Sequence, residues 1–163
     1  QSVKCINIDF SSEHYENFYD LSLDVRGCKS LKHSLEKYAE CEVLTGDNKY
    51  MVQGHGLQDA KKLCTFCSFP PVLHLHLKRF EYDPLRKATV KINDHFEFDE
   101  SIDLSPYLDE SPGRPDVYLL HSVLVHSGDA HGGHYHTYIR PDCNGQWFKF
   151  DDERLTIASR QDA

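Results

Sequence analysis

Four histidines, His126, His131, His134 and His136, fall within eleven residues of the stretch LVHSGDAHGGHYHTYI, and His121 lies just upstream. Imidazoles at this density suit two chemistries, proton transfer near neutral pH and metal ligation. His126-x4-His131-x2-His134 has a spacing close to that of zinc ligands, but a flexible Gly132-Gly133 pair opposes a rigid cage and no cysteine pair lies nearby. A histidine that acts as a base needs an acid to orient its second nitrogen. The segments HYHTYIRP and QWFKFDD read as a hairpin around DCNG, an Asn-Gly turn signal. A loop of four or five residues, about 141–145, sets Asp151 opposite His134 or Tyr135, with Cβ atoms about 5 Å apart. Asp151 then accepts one ring N–H of His134 and leaves the other nitrogen free as a base. His131 and His126 gain no acid by this count. Gly132-Gly133 lets a backbone pass close by, which suits a site admitting a thin peptide. The competing reading is a strand histidine held by an acid for structural reasons alone.

These residues must be positioned by a domain, and 163 residues suffice for one with a sizeable core. Hydrophobic content of 39% and charged content of 27% are globular values. Nothing resembles a membrane span of about 20 apolar residues, and the N-terminus lacks the pattern of a secretion signal. The chain reads as intracellular, or as a piece of something larger: it opens without Met and ends in the polar TIASRQDA, with no closing strand expected. A net charge of −8 disfavours nucleic acid and fits a partner segment carrying Lys or Arg. Six cysteines, Cys5, Cys28, Cys41, Cys64, Cys67 and Cys143, are expected as reduced thiols.

Hydrophobic periodicity predicts a half-buried strand in FYDLSLDVRG and a short amphipathic helix in SLKHSLEKYAE with Ser30 as N-cap. In PPVLHLHLKRFEYD, Leu73, Leu75 and Leu77 face one way, and His74, His76 and Lys78 face the other, on the surface or lining a cleft. VKINDHFEFDESIDL reads as a strand and a loop, VYLLHSVLVHSG as a central strand, TGDNKY as a turn, GLQDAKK as a short polar connection and DESIDLSPYLDE as a solvated loop. The fold class is α+β, mostly antiparallel sheet.

LHSVLVHSGDAHGGHYHTYIRP…QWFKFDDE resembles the His box of the ubiquitin-specific proteases, and PPVLHLHLKRFEYD resembles the strand that precedes it. GDNKY…GHGLQDAKK and VKINDHFEF resemble the branch containing the herpesvirus-associated ubiquitin-specific protease and its plant relatives. The likeness runs from about Cys5 to Leu155. It implies a papain-like cysteine peptidase that cuts after the C-terminal glycine of ubiquitin. His134 would be the general base, Asp151 its orienting acid and Asp152 a second supporting acid. Phe80, His126, His131, Gly132, Gly133 and Tyr135 would line the path of the ubiquitin tail, whose arginines agree with the acidic balance here. The implied partners are ubiquitin and ubiquitinated proteins, with no nucleic acid or membrane, in cytoplasm and nucleus.

The family's nucleophile lies in an upstream box like Gly-Asn-Thr-Cys-Tyr-Met-Asn, and no such string occurs in these residues. The chain thus resembles the C-terminal part of a catalytic domain. Residues 1–163 would form a partial domain, about 1–70 fingers-like and about 71–163 palm-like, with the thumb missing. Alone it is expected to cleave nothing. Cys28, before the helix, is expected to be a partly buried thiol rather than a nucleophile, and Cys143 an exposed loop residue. Many relatives hold zinc in the fingers with two CxxC pairs; here only Cys5 matches, with Asn7 or Ile8, Val52 and His55 at the other positions. Cys64-x2-Cys67, expected inside a strand-like run, supplies half a tetrahedral site. No metal and no cofactor are expected. Two other readings remain: a catalytically inert ubiquitin-binding module and a metal-dependent structural domain using the histidine cluster.

Overall fold

The structure, a computed structural model, describes residues 1–110, 113–142 and 145–162. Cys143 lies outside them. The first strands, β1 (Ser2–Cys5), β2 (Ser11–Glu13) and β3 (Asp20–Asp24), precede a helix, α1 (Leu31–Tyr38). Ser30 caps α1 as expected: its backbone is extended and its Oγ accepts from the His33 N–H at 3.2 Å. The face bearing Leu31 and Leu35 turns inward.

Four short strands follow: β4 (Glu42–Leu44), β5 (Tyr50–Val52), β6 (Gly56–Gln58) and β7 (Ala60–Leu63). An antiparallel sheet has the order β2-β1-β7-β4, and β5 and β6 form a hairpin. Cys5, Val52 and Ala60 are buried together between them. GLQDAKK, expected as a polar connection, is therefore strand on both sides of Asp59. Ala60 is fully buried in β7 while Lys61 and Lys62 pair with strands on either side, so two lysines disguise a strand whose buried residue is small.

The main core lies elsewhere. Leu21, Leu23 and Val25 meet Leu31 and Leu35 of α1 together with Phe66, Ile92, Phe96, Leu104 and Tyr107. Strand β8 (His74–Lys78) runs parallel to β3, with Leu21 level with Leu75 and Leu23 with Leu77. As expected, Leu73, Leu75 and Leu77 pack against this core and His74, His76 and Lys78 face out; His76 Nδ1 lies 3.1 Å from Ser22 Oγ. The parallel pairing was not legible in the alternation, which is the same for either direction. DESIDLSPYLDE is not a solvated loop. It holds β11 (Ser101–Asp103) and a 3-10 turn at Ser105–Tyr107 that buries Leu104 and Tyr107, three residues apart, in the core. Between these elements, β9 (Phe80–Asp83) and β10 (Ala88–Lys91) form a hairpin. Cys64 and Cys67 follow β7 rather than lying within a strand, with Cys67 exposed. Cys28 is more buried than expected, at 4% exposure inside the main core. The five described cysteines are free thiols.

VYLLHSVLVHSG splits at Leu120-His121 into β12 (Val117–Leu119), paired with β11, and β13 (Ser122–Gly128). The two residues between them step from one sheet to the next, since the Leu120 N–H donates to the Glu100 carbonyl and the Arg140 N–H to that of His121. Strand β13 is an edge strand, not a central one. It starts the sheet β13-β14-β15-β16, with β14 (Gly133–Ile139), β15 (Trp147–Asp151) and β16 (Arg154–Ala158). The C-terminal TIASRQDA thus begins in a strand, where the expectation was a tail. Gln146 Nε2 donates to the Ala158 carbonyl at 2.6 Å and Trp147 pairs with Ala158. No helix here is long and apolar enough to cross a membrane, among the described residues.

One face of this last sheet is apolar and open. Leu124, Thr137, Phe150 and Leu155 lie in register across all four strands, with Ile157 beside them, and Leu124 and Ile157 are 67% and 76% exposed. A contiguous apolar face in water drives association. The chain by itself is expected to self-associate, and Leu124→Thr with Ile157→Thr to reduce this. Light scattering checks it; an unmodified chain that stays monodisperse and monomeric as its concentration rises would show the expectation wrong.

Candidate active site

The His134–Asp151 pair forms, but by a different route from the hairpin count. Strand β14 pairs β15 with Thr137 opposite Phe150 and Ile139 opposite Phe148. Carried on, that register sets Trp147 level with Arg140 and makes the connection six residues, 141–146, instead of four or five. Asp151 comes level with His136, and His134 is its diagonal neighbour on the same face. The carboxylate leans along the sheet to bridge the gap: His134 Nε2 lies 2.5 Å from Asp151 Oδ1. The other ring nitrogen, Nδ1, is the one left to take a proton from outside. The His134 side chain is about half exposed and that of Asp151 about a third.

Charge organises the pair. Lys149, two residues before Asp151 and on the same face of β15, donates from Nζ to Asp151 Oδ2 at 2.8 Å. That bond, then the one to His134, holds the Asp151 carboxyl down at about 2. The Asp151 hydrogen bond raises the proton affinity of His134, against desolvation, with Asp152 adding to the rise and the Lys149 charge opposing it. For folding, the raised His134 contributes stability below its unfolded value near 6.5 and loses it as pH climbs through the folded value. The depressed Asp151 contributes above about 4 and loses it as pH falls toward 2. Asp152 begins the turn from β15 to β16 with φ of +53°, a left-handed conformation that Asp tolerates better than most residues.

Of the residues expected to line a peptide path, Phe80, His126 and Tyr135 gather on one face and His134 points from the other. His126 is opposite Tyr135, and Ser127 opposite His134. Alternation therefore puts His126 and Tyr135 on the face away from His134. There the His126 ring is set between Phe80, edge-on at 5.3 Å, and Tyr135 at 4.7 Å. Its Nδ1 is buried with no hydrogen-bond partner among the described residues. Gly133 joins the halves: a Cβ there would collide with the His126 ring and the Ser127 carbonyl oxygen, whereas one at Gly132 would meet nothing. His131 is exposed on the loop. The zinc reading of His126, His131 and His134 fails on this geometry, since His126 and His134 face apart.

Four residues of the site were missed in the sequence. Asp129 closes the loop, its Oδ1 accepting from the backbone N–H of His131 at 2.8 Å and of Gly132 at 3.2 Å. These bonds lower its proton affinity. Asp two residues before the bonded N–H is the signature of an Asx turn, which GDAHGG carries in plain view. Gly128 sits at φ +121°, where a side chain would strike Gly132 and Gly133. Lys91 of β10 donates from Nζ to the carbonyls of His126 at 2.9 Å and Gly128 at 3.0 Å, pinning the end of β13; no local signal announces it. Lys149 is the fourth, and its place two residues before Asp151 was the available signal.

Ligand atoms of His134, Asp151 and Asp152 lie within 4.8 Å of one another. The Lys149 ammonium already occupies one Asp151 oxygen, so a metal ion would have to displace a bonded cation. Cys5, at the other position weighed for zinc, is buried against Val52 and Ala60, with Ile8 and Phe10 packed beside them. These neighbours are apolar side chains, which offer a metal no ligand atom.

Comparison with known proteins identifies the family. The model of the ubiquitin carboxyl-terminal hydrolase family matches residues 3–163. The chain is 57% identical over 160 residues to ubiquitin C-terminal hydrolase 12 of Arabidopsis thaliana and 51% identical over 161 residues to ubiquitin carboxyl-terminal hydrolase 7 of Drosophila melanogaster. These alignments cover 94% and 99% of the chain but 14% of each relative. Among solved structures, a SAGA DUB module bound to monoubiquitin superposes with a TM-score of 0.86 at 30% identity, covering 99% of this chain and 36% of that one. The chain thus spans about a seventh of the curated relatives it matches, and it belongs to the ubiquitin carboxyl-terminal hydrolase family.

Proposed function

We propose that this chain supplies the general base and its orienting acid for thiol-dependent hydrolysis of the bond after the C-terminal glycine of ubiquitin, the nucleophilic cysteine coming from elsewhere in the parent protein. The observation that carries the reading is the His134 Nε2–Asp151 Oδ1 bond of 2.5 Å, which leaves Nδ1 as the other ring nitrogen. A proton on Nε2 is held by the carboxylate, so Nδ1 carries the lone pair. The thiol proton passes to Nδ1, and the thiolate adds to the glycine carbonyl carbon. The C–N bond breaks as His134 returns that proton to the leaving lysine amine. Water, deprotonated by the same nitrogen, then releases the glycine carboxyl from sulfur and restores the thiol. Asp152 reinforces the imidazolium that forms at each proton transfer.

Family membership and the ubiquitin-bound neighbour support this substrate. Residues of a fingers-like part, about 1–70, and a palm-like part, about 71–163, would hold ubiquitin in a papain-like frame completed by a thumb from outside the chain. The tail would cross the Gly132-Gly133 turn, with Phe80, His126, His131 and Tyr135 along one side and His134 on the other. Cys28 does not compete as nucleophile, being sealed in the core.

Ubiquitin bearing a C-terminal thiol-reactive group tests the proposal. The expected result is labelling of the parent protein and none of this chain alone. Labelling of the chain would make one of its own cysteines the nucleophile and overturn the division of labour. Labelling of neither would turn the reading to an inert ubiquitin-binding module.

A further inference from the structure

We propose that Lys149 is a positioning residue of this site: it grips Asp151 from behind, aims the free carboxylate oxygen at His134 and limits how strongly that carboxylate holds a proton on the imidazole. The inference rests on His134 being the base. Its grounds are geometric. Asp151 is not directly across from His134 but one step along the face, so its side chain must lean forward to reach Nε2. Lys149 lies one step behind on the same strand, level with Tyr138 of β14 and Thr156 of β16. The carboxylate therefore sits between a cation and an imidazole, with Oδ2 bonded to Nζ at 2.8 Å and Oδ1 2.5 Å from Nε2. A carboxylate bonded at one oxygen to an ammonium is restrained about its last torsion, and a diagonal contact depends on that angle.

The ammonium also sets the strength of the pair. Alone, an ionised Asp151 at 2.5 Å would stabilise the protonated imidazole strongly and blunt His134 as a base. Lys149 shares that charge and repels the imidazolium. The other groups facing the cluster are Asp152 in the turn, Arg154 opposite Asp151 on β16, and Tyr138 and His136 on β14. Among the described residues, only Lys149 touches the Asp151 oxygen that His134 leaves free.

Histidine Cε1 hydrogen exchange, read peptide by peptide by mass spectrometry in dilute protein, reports the titration midpoint of His134 separately. Lys149→Met, which keeps the length and loses the charge, is expected to raise that midpoint by roughly half a pH unit or more. Lys149→Arg is expected to restore it, because the guanidinium reaches the same oxygen. Asp152→Asn is expected to move it the other way. A residue needed only for folding would leave the midpoint in place once the variant had folded, as circular dichroism would show. The lost charge is expected to outweigh any loosening of the Asp151 bond, so an unchanged or lowered midpoint in folded Lys149→Met overturns the proposal. The function reading fails separately: if the parent keeps its activity with His134→Ala, His134 is not the base, whatever Lys149 does to its titration.

Discussion

Replacing His134 by alanine in the parent protein is expected to lower kcat/KM for ubiquitin cleavage by at least about 10³-fold, and Asp151→Asn by roughly 10²- to 10⁴-fold. On the proposed reading, the first change removes the nitrogen that takes the thiol proton. The second is the more instructive. Asp151 accepts on both arms, from His134 on Oδ1 and from the Lys149 ammonium on Oδ2. Asparagine has one acceptor and one donor arm. The ammonium claims the oxygen, because facing it with an amide NH2 would set donor against donor beside a charge. The amide N–H then points at Nε2, which must become the acceptor, and the ring proton moves to Nδ1. The base nitrogen is thereby occupied without moving an atom of the backbone. This predicts rescue: Asp151→Asn with Lys149→Met frees the amide to turn its oxygen to Nε2, and the double variant should be faster than Asp151→Asn alone. Steady-state cleavage of a ubiquitin amide substrate checks it. Full activity in Asp151→Asn would remove the carboxylate from the mechanism.

The pair was legible in the sequence although the register was not. The count allowed Asp151 to face His134 or Tyr135, and the strands in fact pair two steps or one step away from those alternatives. A slip of two residues keeps every side chain on its face, whereas a slip of one inverts the sheet. The identity of the face therefore survived the first count, and the side chains closed the remaining distance. Alternation likewise gave the core leucines of β8, and capping chemistry gave the start of α1. What failed did so where composition hid geometry. Acidic residues around Leu104 and Tyr107 concealed a buried 3-10 turn, and two lysines concealed β7. Lys91 was unreadable because its partners are carbonyls contributed by a strand thirty-odd residues away. That Tyr135 and His134 lie on opposite faces was implicit in strand period, whereas the place of Phe80 against His126 was not, because it comes from a strand distant in sequence.

Gly133→Ala is expected to be severe where Gly132→Ala is mild, although the two glycines are adjacent. At Gly132 an added methyl meets open space and φ lies outside the left-handed region. At Gly133 it would strike the imidazole of His126 and the carbonyl oxygen of Ser127. The ring cannot simply retreat, because Phe80 and Tyr135 hold it on either side. The carbonyl is backbone of β13, whose end Lys91 pins through the carbonyls of His126 and Gly128. Relief must come from prying β14 away from β13 at Gly133, next to His134. Overpacking of this kind costs about 1–3 kcal/mol, read as a lower urea midpoint for this chain. The displacement also carries the base: a shift of about 1 Å in a catalytic group can cost about 10²-fold in rate, so the parent variant should lose that much in kcat/KM while still binding ubiquitin. Gly132→Ala should leave the urea midpoint nearly unchanged. Equal effects at the two positions would mean that a flexible loop, and not the contact between Gly133 and His126, is what the site requires.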